Sequence, residues 1–193
     1  MADSSTGGIL IDTHPNPSKN GAALDAVFQA LISSITVLPG NLVRPRWGME
    51  LGKIPEFTTD WCAFGISSDD CDPTPYILHN SDNQGSDIYI IHEDIRVLTT
   101  FYGPDSQNNA AALRDGVRLL QNLEQLDDDS IAFVKNEPLR NVPEFVNQHW
   151  LRRCDLEMVF RRKITRIYAT LNLLSAPNQI VTDVIGAVNP TGD

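Results

Sequence analysis

Asp155 and Glu157 are the two carboxylates in this chain whose spacing best fits a chemical site. Two residues apart on a strand they share a face, and Arg161 and Lys163 follow on the same face, as a metal-dependent nuclease would need to hold a divalent ion and a phosphate. A restriction-type pattern places an acidic residue two positions before its lysine, and Arg161 stands there instead. Alternating opposite charges then read as cross-strand or intersubunit ion pairs. His92, Glu93 and Asp94 form a second polar knot, but neighbours on a strand point to opposite faces, so they do not converge on one metal and His92 reads as a surface residue. Asp127 to Asp129 lack the alternating ligands and central glycine of a calcium loop and read as a solvated turn. GxSxG, P-loop and GxGxxG patterns are absent, and no spacing of Ser, His and Asp supports a triad. The residues therefore assign no catalytic group, no metal ligand and no cofactor.

Three cysteines, Cys62, Cys71 and Cys154, fit no zinc spacing. Cys62 and Cys154 sit inside apolar alternation, where a thiol behaves as a small buried hydrophobe. Cys71 lies in the turn-forming acidic stretch SSDDCDPTP, is expected at the surface, and is the candidate for an interchain disulfide.

The elements that position these groups follow from periodicity. Leu24, Val27, Phe28, Leu31, Ile32 and Ile35 recur at three- and four-residue steps and predict a helix over 22–37, ended by Pro39-Gly40. Residues 41–59, with Pro45, Gly48 and Pro55, read as a long ordered loop. Cys62, Phe64 and Ile66 predict a strand over 60–67, and a short strand is expected near Tyr76 to His79. Ile95, Val97, Thr99 and Phe101 share a face of a long strand over 87–102. A second helix is expected over 105–121, a short strand over 131–136, and a final strand from near Trp150 towards Leu173. On that strand Cys154, Leu156, Met158 and Phe160 share one face and Arg153, Asp155, Glu157, Arg161 and Lys163 the other. Two such strands outrun a single domain: about 19 residues would span roughly 60 Å, against roughly 20 Å for an ordinary strand. Either bulges fold them back, or their ends project as a paired ribbon that a neighbouring subunit would cover, because bare strand edges are a liability.

These elements amount to an α+β fold, a curved, mainly antiparallel sheet of four to five strands with two helices on one face. A single domain is expected over 21–176, with a flexible arm at 1–20 and a tail at 177–193. The start MADSSTGGIL lacks the pattern of a signal peptide, and no apolar run reaches the roughly 18 residues of a membrane span. Formal charge is −10, unevenly placed: residues 1–100 carry 5 Lys+Arg against 13 Asp+Glu, whereas residues 140–170 carry 7 against 3. Such a distribution reads first as solvated faces; an acidic body with a basic strip can also dock subunit to subunit, and it disfavours wrapping nucleic acid. Trp47, flanked by Arg44 and Arg46, is placed at an interface or under its own loop, and Trp150, beside Arg152 and Arg153, in the core.

Several unusual strings occur in one order: LPGNLVRPRW at 38–47, DWCAFG at 60–65, FYGP at 101–104, LRDG at 113–116, PEFVNQHWLRRCDL at 143–156 and LNLLSA at 171–176. Together they resemble the neck or tail terminator proteins of tailed bacteriophages, over roughly residues 22–176. The resemblance implies a structural virion protein, made in the host cytoplasm and placed at the head-tail junction. It would form a homo-oligomeric ring, commonly a hexamer, that caps the tail tube. Its implied partners are copies of itself, the tube and sheath proteins and the head connector or adaptor; genomic DNA would cross the lumen without tight binding, and no membrane is involved. Another tail-completion or connector adaptor role is the alternative, and a metal-dependent nuclease the less favoured one. The expected interface residues are Arg44, Arg46, Trp47, Arg153, Arg161 and Lys163.

Overall fold

Cys62, Phe64, Ile95, Val97, Phe101, Cys154, Leu156, Met158 and Phe160 are all buried, and they lie on one face of one sheet. The computed structural model describes residues 9–15, 17–47, 53–82, 85–146 and 148–172. Its strands are β1 (Val43–Pro45), β2 (Trp61–Cys71), β3 (Tyr76–Asn80), β4 (Ser86–Tyr102), β5 (Ile131–Asn136), β6 (Arg140–Asn141), β7 (Glu144–Val146), β8 (His149–Leu151) and β9 (Arg153–Tyr168). Seven of them form one sheet in the order β1-β2-β4-β9-β5, with β3 added beside β4 and β6 beside β9. The short β7–β8 hairpin stands apart as a second sheet.

The α+β expectation holds. The sheet is larger than the expected four to five strands, and it is mixed, because β1 runs parallel to β2 in what reads by sequence as loop. Three residues ending in Pro45 give no period to detect, and proline is tolerated there because β1 is an edge strand.

Two helices, α1 (Ala22–Thr36) and α2 (Ser106–Gly116), cover the apolar face and touch each other. Leu24, Phe28, Leu31 and Ile32 of α1 are buried, as the spacing requires, and the Phe28 ring meets Phe160 of β9 at 5.1 Å. Truncating such a ring costs about 3–5 kcal/mol. The chain turns into α2 at Gly103, whose φ of 107° is open to glycine and which sits against Asp60; an added Cβ would collide with that residue. Asp60 Oδ1 also accepts the Asp105 amide at 2.8 Å.

The second helix is shorter than expected. It stops at Gly116, and α3 (Leu120–Leu123) restarts after a turn, leaving Leu120 exposed rather than on the apolar side. The turn lets the 3-10 segment Glu124–Asp129 bury Leu126 completely. One more turn of α2 would forfeit that burial.

Strands β4 and β9 pair through sixteen consecutive positions, from Asp87↔Tyr168 to Tyr102↔Arg153. At about 3.4 Å per residue the ladder is roughly 50 Å long. The buried face ends at Glu93 and Ile164, so the last third continues beyond the core as a three-stranded ribbon with β3. The final strand begins at Arg153 rather than at Trp150, which belongs to β8.

Candidate subunit interface

The face of the sheet opposite the helices carries the charges. Asp94 and Arg161 stand directly across β4 and β9, and Arg161 Nη1 donates to Asp94 Oδ1 at 3.2 Å while its Nη2 reaches both oxygens of Asp72 at 2.7 Å. The Asp72 contact, then the nearby Asp94 charge, raise the Arg161 pKa further and hold it charged. Arg96 donates to Glu157 at 3.2 Å. Arg161 of the basic strip thus pairs with two carboxylates of the acidic half within one subunit.

Near the other end, hydrogen bonds run across three strands. Arg46, just after β1, donates to the Thr100 hydroxyl, which in turn donates to Asp155 Oδ1 at 2.7 Å. Arg153 closes on Asp155 through Nε and Nη2 at 2.9 and 2.8 Å and also binds Glu144 of β7. Hydrogen bonding to Asp155 and then Glu144 raises the Arg153 pKa against the cost of its partial burial. Asp155 and Glu157, the pair with a nuclease-like spacing, are each held by an arginine.

The six expected interface residues therefore separate. Arg153 and Arg161 are engaged inside their own subunit. Arg44 donates to the Asn41 and Lys53 carbonyls at 2.9 and 2.7 Å. The Arg46 amide donates to Phe64 O at 2.7 Å, which lays Trp47 along β2. An added Cβ at Gly65 would come within 2.5 Å of the Trp47 ring, so glycine there makes the seat for the indole. Trp47 is nonetheless 68% exposed, and Lys163 is exposed on the outer face of β9. Cys71 is exposed at the end of β2, with its thiol 3.8 Å from Glu93 Oε2.

The expectation for Trp150 is corrected. It is 70% exposed, on β8, because the chain leaves the sheet between Asn141 and Arg153 and pairs with itself in the hairpin. Its ring meets Phe145 at 5.2 Å, and Phe145 is 62% exposed as well. Alternation in PEFVNQHWL was the available signal, but the turn lacks the Asn-Gly or Asp-Gly pair that marks a tight hairpin.

Another group missed by sequence lies on the helix side. Arg162 and Glu93 are buried together, with Arg162 Nε donating to Glu93 Oε1 at 2.8 Å. The same guanidinium reaches the Lys19 carbonyl and, at 3.0 Å, Asn20 Oδ1. This cluster fixes the chain just before α1. Further out, Thr13 N donates to Ile167 O at 2.7 Å and Asp12 Oδ1 accepts the Ile167 amide at 3.1 Å, so this part of the expected arm lies along β9. Residues 1–8 of that arm and the whole expected tail, 177–193, lie outside the described residues.

Among the described residues no three His, Cys, Asp or Glu side chains are placed to share a metal ion, and no helix is long and apolar enough to cross a membrane. The family model described as phage neck terminator protein matches residues 22–187. No curated protein matches the chain.

Proposed function

The chain belongs to the phage neck terminator family, a structural family of the virion, and on that premise we propose that its copies close into a ring, commonly of six, that ends the tail tube and joins it to the head connector. The observation that carries the ring is the ladder of β4 and β9, which continues past Glu93 and Ile164 as a ribbon with β3 along its edge. A ribbon of this kind is stable against mispairing when a neighbour covers it. The partners are then the chain itself, the tube and sheath proteins on one side and the connector or adaptor on the other. Assembly takes place in the host cytoplasm, and the ring remains in the virion.

Arg153 and Arg161 hold their own subunit in shape first; Trp47 and Lys163, both exposed, remain available to a neighbour. The net charge of −10 suits a lumen that DNA must cross without sticking. Deleting the gene and imaging the lysate tests the role. Filled heads and separate tails, with joining restored by supplying the chain in trans, are expected; normal joined particles without the chain would contradict it.

A further inference from the structure

The β4–β9 ladder has a different apolar surface at each end. At the ribbon end, on the face opposite the helices, Leu78, Ile88 and Ile167 stand in one cross-strand row and Tyr76 and Ile90 in the next. Tyr76 and Leu78 are exposed although they belong to a strand. At the other end the same face carries a groove of about 610 Å³ lined by Phe57, Trp61, Tyr102, Val146 and Leu151 among others. Trp61 and Tyr102 stack at 4.5 Å to form its floor. The β7–β8 hairpin is its wall, and Phe145 and Trp150 stand exposed on the wall's other side. A hairpin of three pairs is marginal in water unless something packs on it. Exposed apolar groups gathered in this way mark a contact surface.

We propose that the ribbon of one copy, through Tyr76, Leu78 and Ile88, seats on the hairpin and groove of the next copy, and that repetition of this contact closes the ring. The inference rests on the ring reading and adds its interface. A second copy is the occupant because each copy carries both surfaces at opposite ends, so a head-to-tail ring covers every ribbon and every hairpin at once. A foreign partner at either end leaves the other bare. Charge points the same way. Asp82 is exposed at the ribbon's loop, and Arg140 and Arg152 are exposed beside the hairpin. Ribbon on hairpin sets the exposed Asp82 carboxylate against these two guanidiniums. Such charges orient the encounter, and the apolar rows hold it.

The test is photocrosslinking in intact virions that carry p-benzoylphenylalanine in place of Phe145, whose exposure leaves the fold undisturbed. The expected product is dimers and higher multimers of this chain, with the adduct mapped to residues 76–90 of a neighbouring copy. Adducts elsewhere in the chain, adducts to another virion protein, or none would overturn the interface. A lysine-reactive crosslinker applied to the same virions separates the two claims. Self-multimers there with no 145-to-ribbon adduct leave the ring standing and remove this contact; the absence of self-multimers from both reagents removes the ring as well.

Discussion

Arg162 and Glu93 form an ion pair that is almost wholly buried, their side chains 3% and 6% exposed, on the helix side of the sheet beside the buried Ile95 and Phe160. Because the guanidinium also binds the Lys19 carbonyl and Asn20, the pair ties the entry of α1 to the two central strands. Removing one partner leaves a charge without compensation in the interior. Glu93→Gln is expected to lower unfolding free energy by about 3–5 kcal/mol in a denaturant titration, whereas Glu93→Leu with Arg162→Met should recover most of the loss. Equal losses in the single and double variants would contradict the assignment.

His79 and Asp87 face each other across β3 and β4, with His79 Nδ1 2.7 Å from Asp87 Oδ1 and its Nε2 3.0 Å from Asn172 Oδ1. Two oxygen partners ask both ring nitrogens to donate, which favours the imidazolium. The Asp87 and then the Asn172 hydrogen bonds raise the His79 pKa, and the His79 hydrogen bond lowers that of Asp87. The pair's contribution is therefore complete between the ordinary carboxylate and histidine values, about 3.9 and 6.5. It is lost as pH rises through the raised His79 pKa and again as pH falls through the lowered Asp87 pKa. An NMR titration should place His79 above 6.5 and, in Asp87→Asn, closer to the ordinary value. A midpoint below 6.5 in the native chain would contradict the pairing.

The long alternating stretches were legible because one face of each is buried and the period is two. Ile95 to Phe101 and Cys154 to Phe160 fall on the core face as expected, and β5 occupies 131–136 as read. Alternation places Arg162 on the same face as Phe160, but nothing local points to the carboxylate that meets it there, since Glu93 lies 69 residues away. Likewise the outward direction of Arg153 and Arg161 follows from alternation, but their partners do not. Asp72 lies 89 residues away from Arg161 in sequence, and no local pattern connects them. The loss of the last turns of α2 reflects tertiary demand, the burial of Leu126, over a helical period that continues through Val117 and Leu120.

The thiols should separate by burial. Burial pushes the Cys62 thiol far up, and desolvation followed by the Asp155 charge raises that of Cys154. A native-state assay with a thiol-reactive disulfide is expected to modify Cys71 in the folded chain and the other two only on unfolding. Non-reducing gels of virions with and without Cys71→Ser then test whether it cross-links copies; identical bands would remove that reading.

Duplex DNA should not bind measurably at physiological salt. Arg96, Arg153, Arg161 and Arg162 are all committed to carboxylates of their own chain, which leaves few cations for phosphates in a molecule of net charge −10. Sub-micromolar binding that weakens steeply with salt would contradict this.

Electron cryomicroscopy of the head-tail junction in virions bearing a small tag on this chain tests the central claim most directly. The account predicts a single closed ring of this chain between the last layer of the tail tube and the connector, with subunits in contact head to tail around a DNA-wide lumen. Tagged density on the capsid shell or at the distal tip, or a lone copy at the neck, would contradict it.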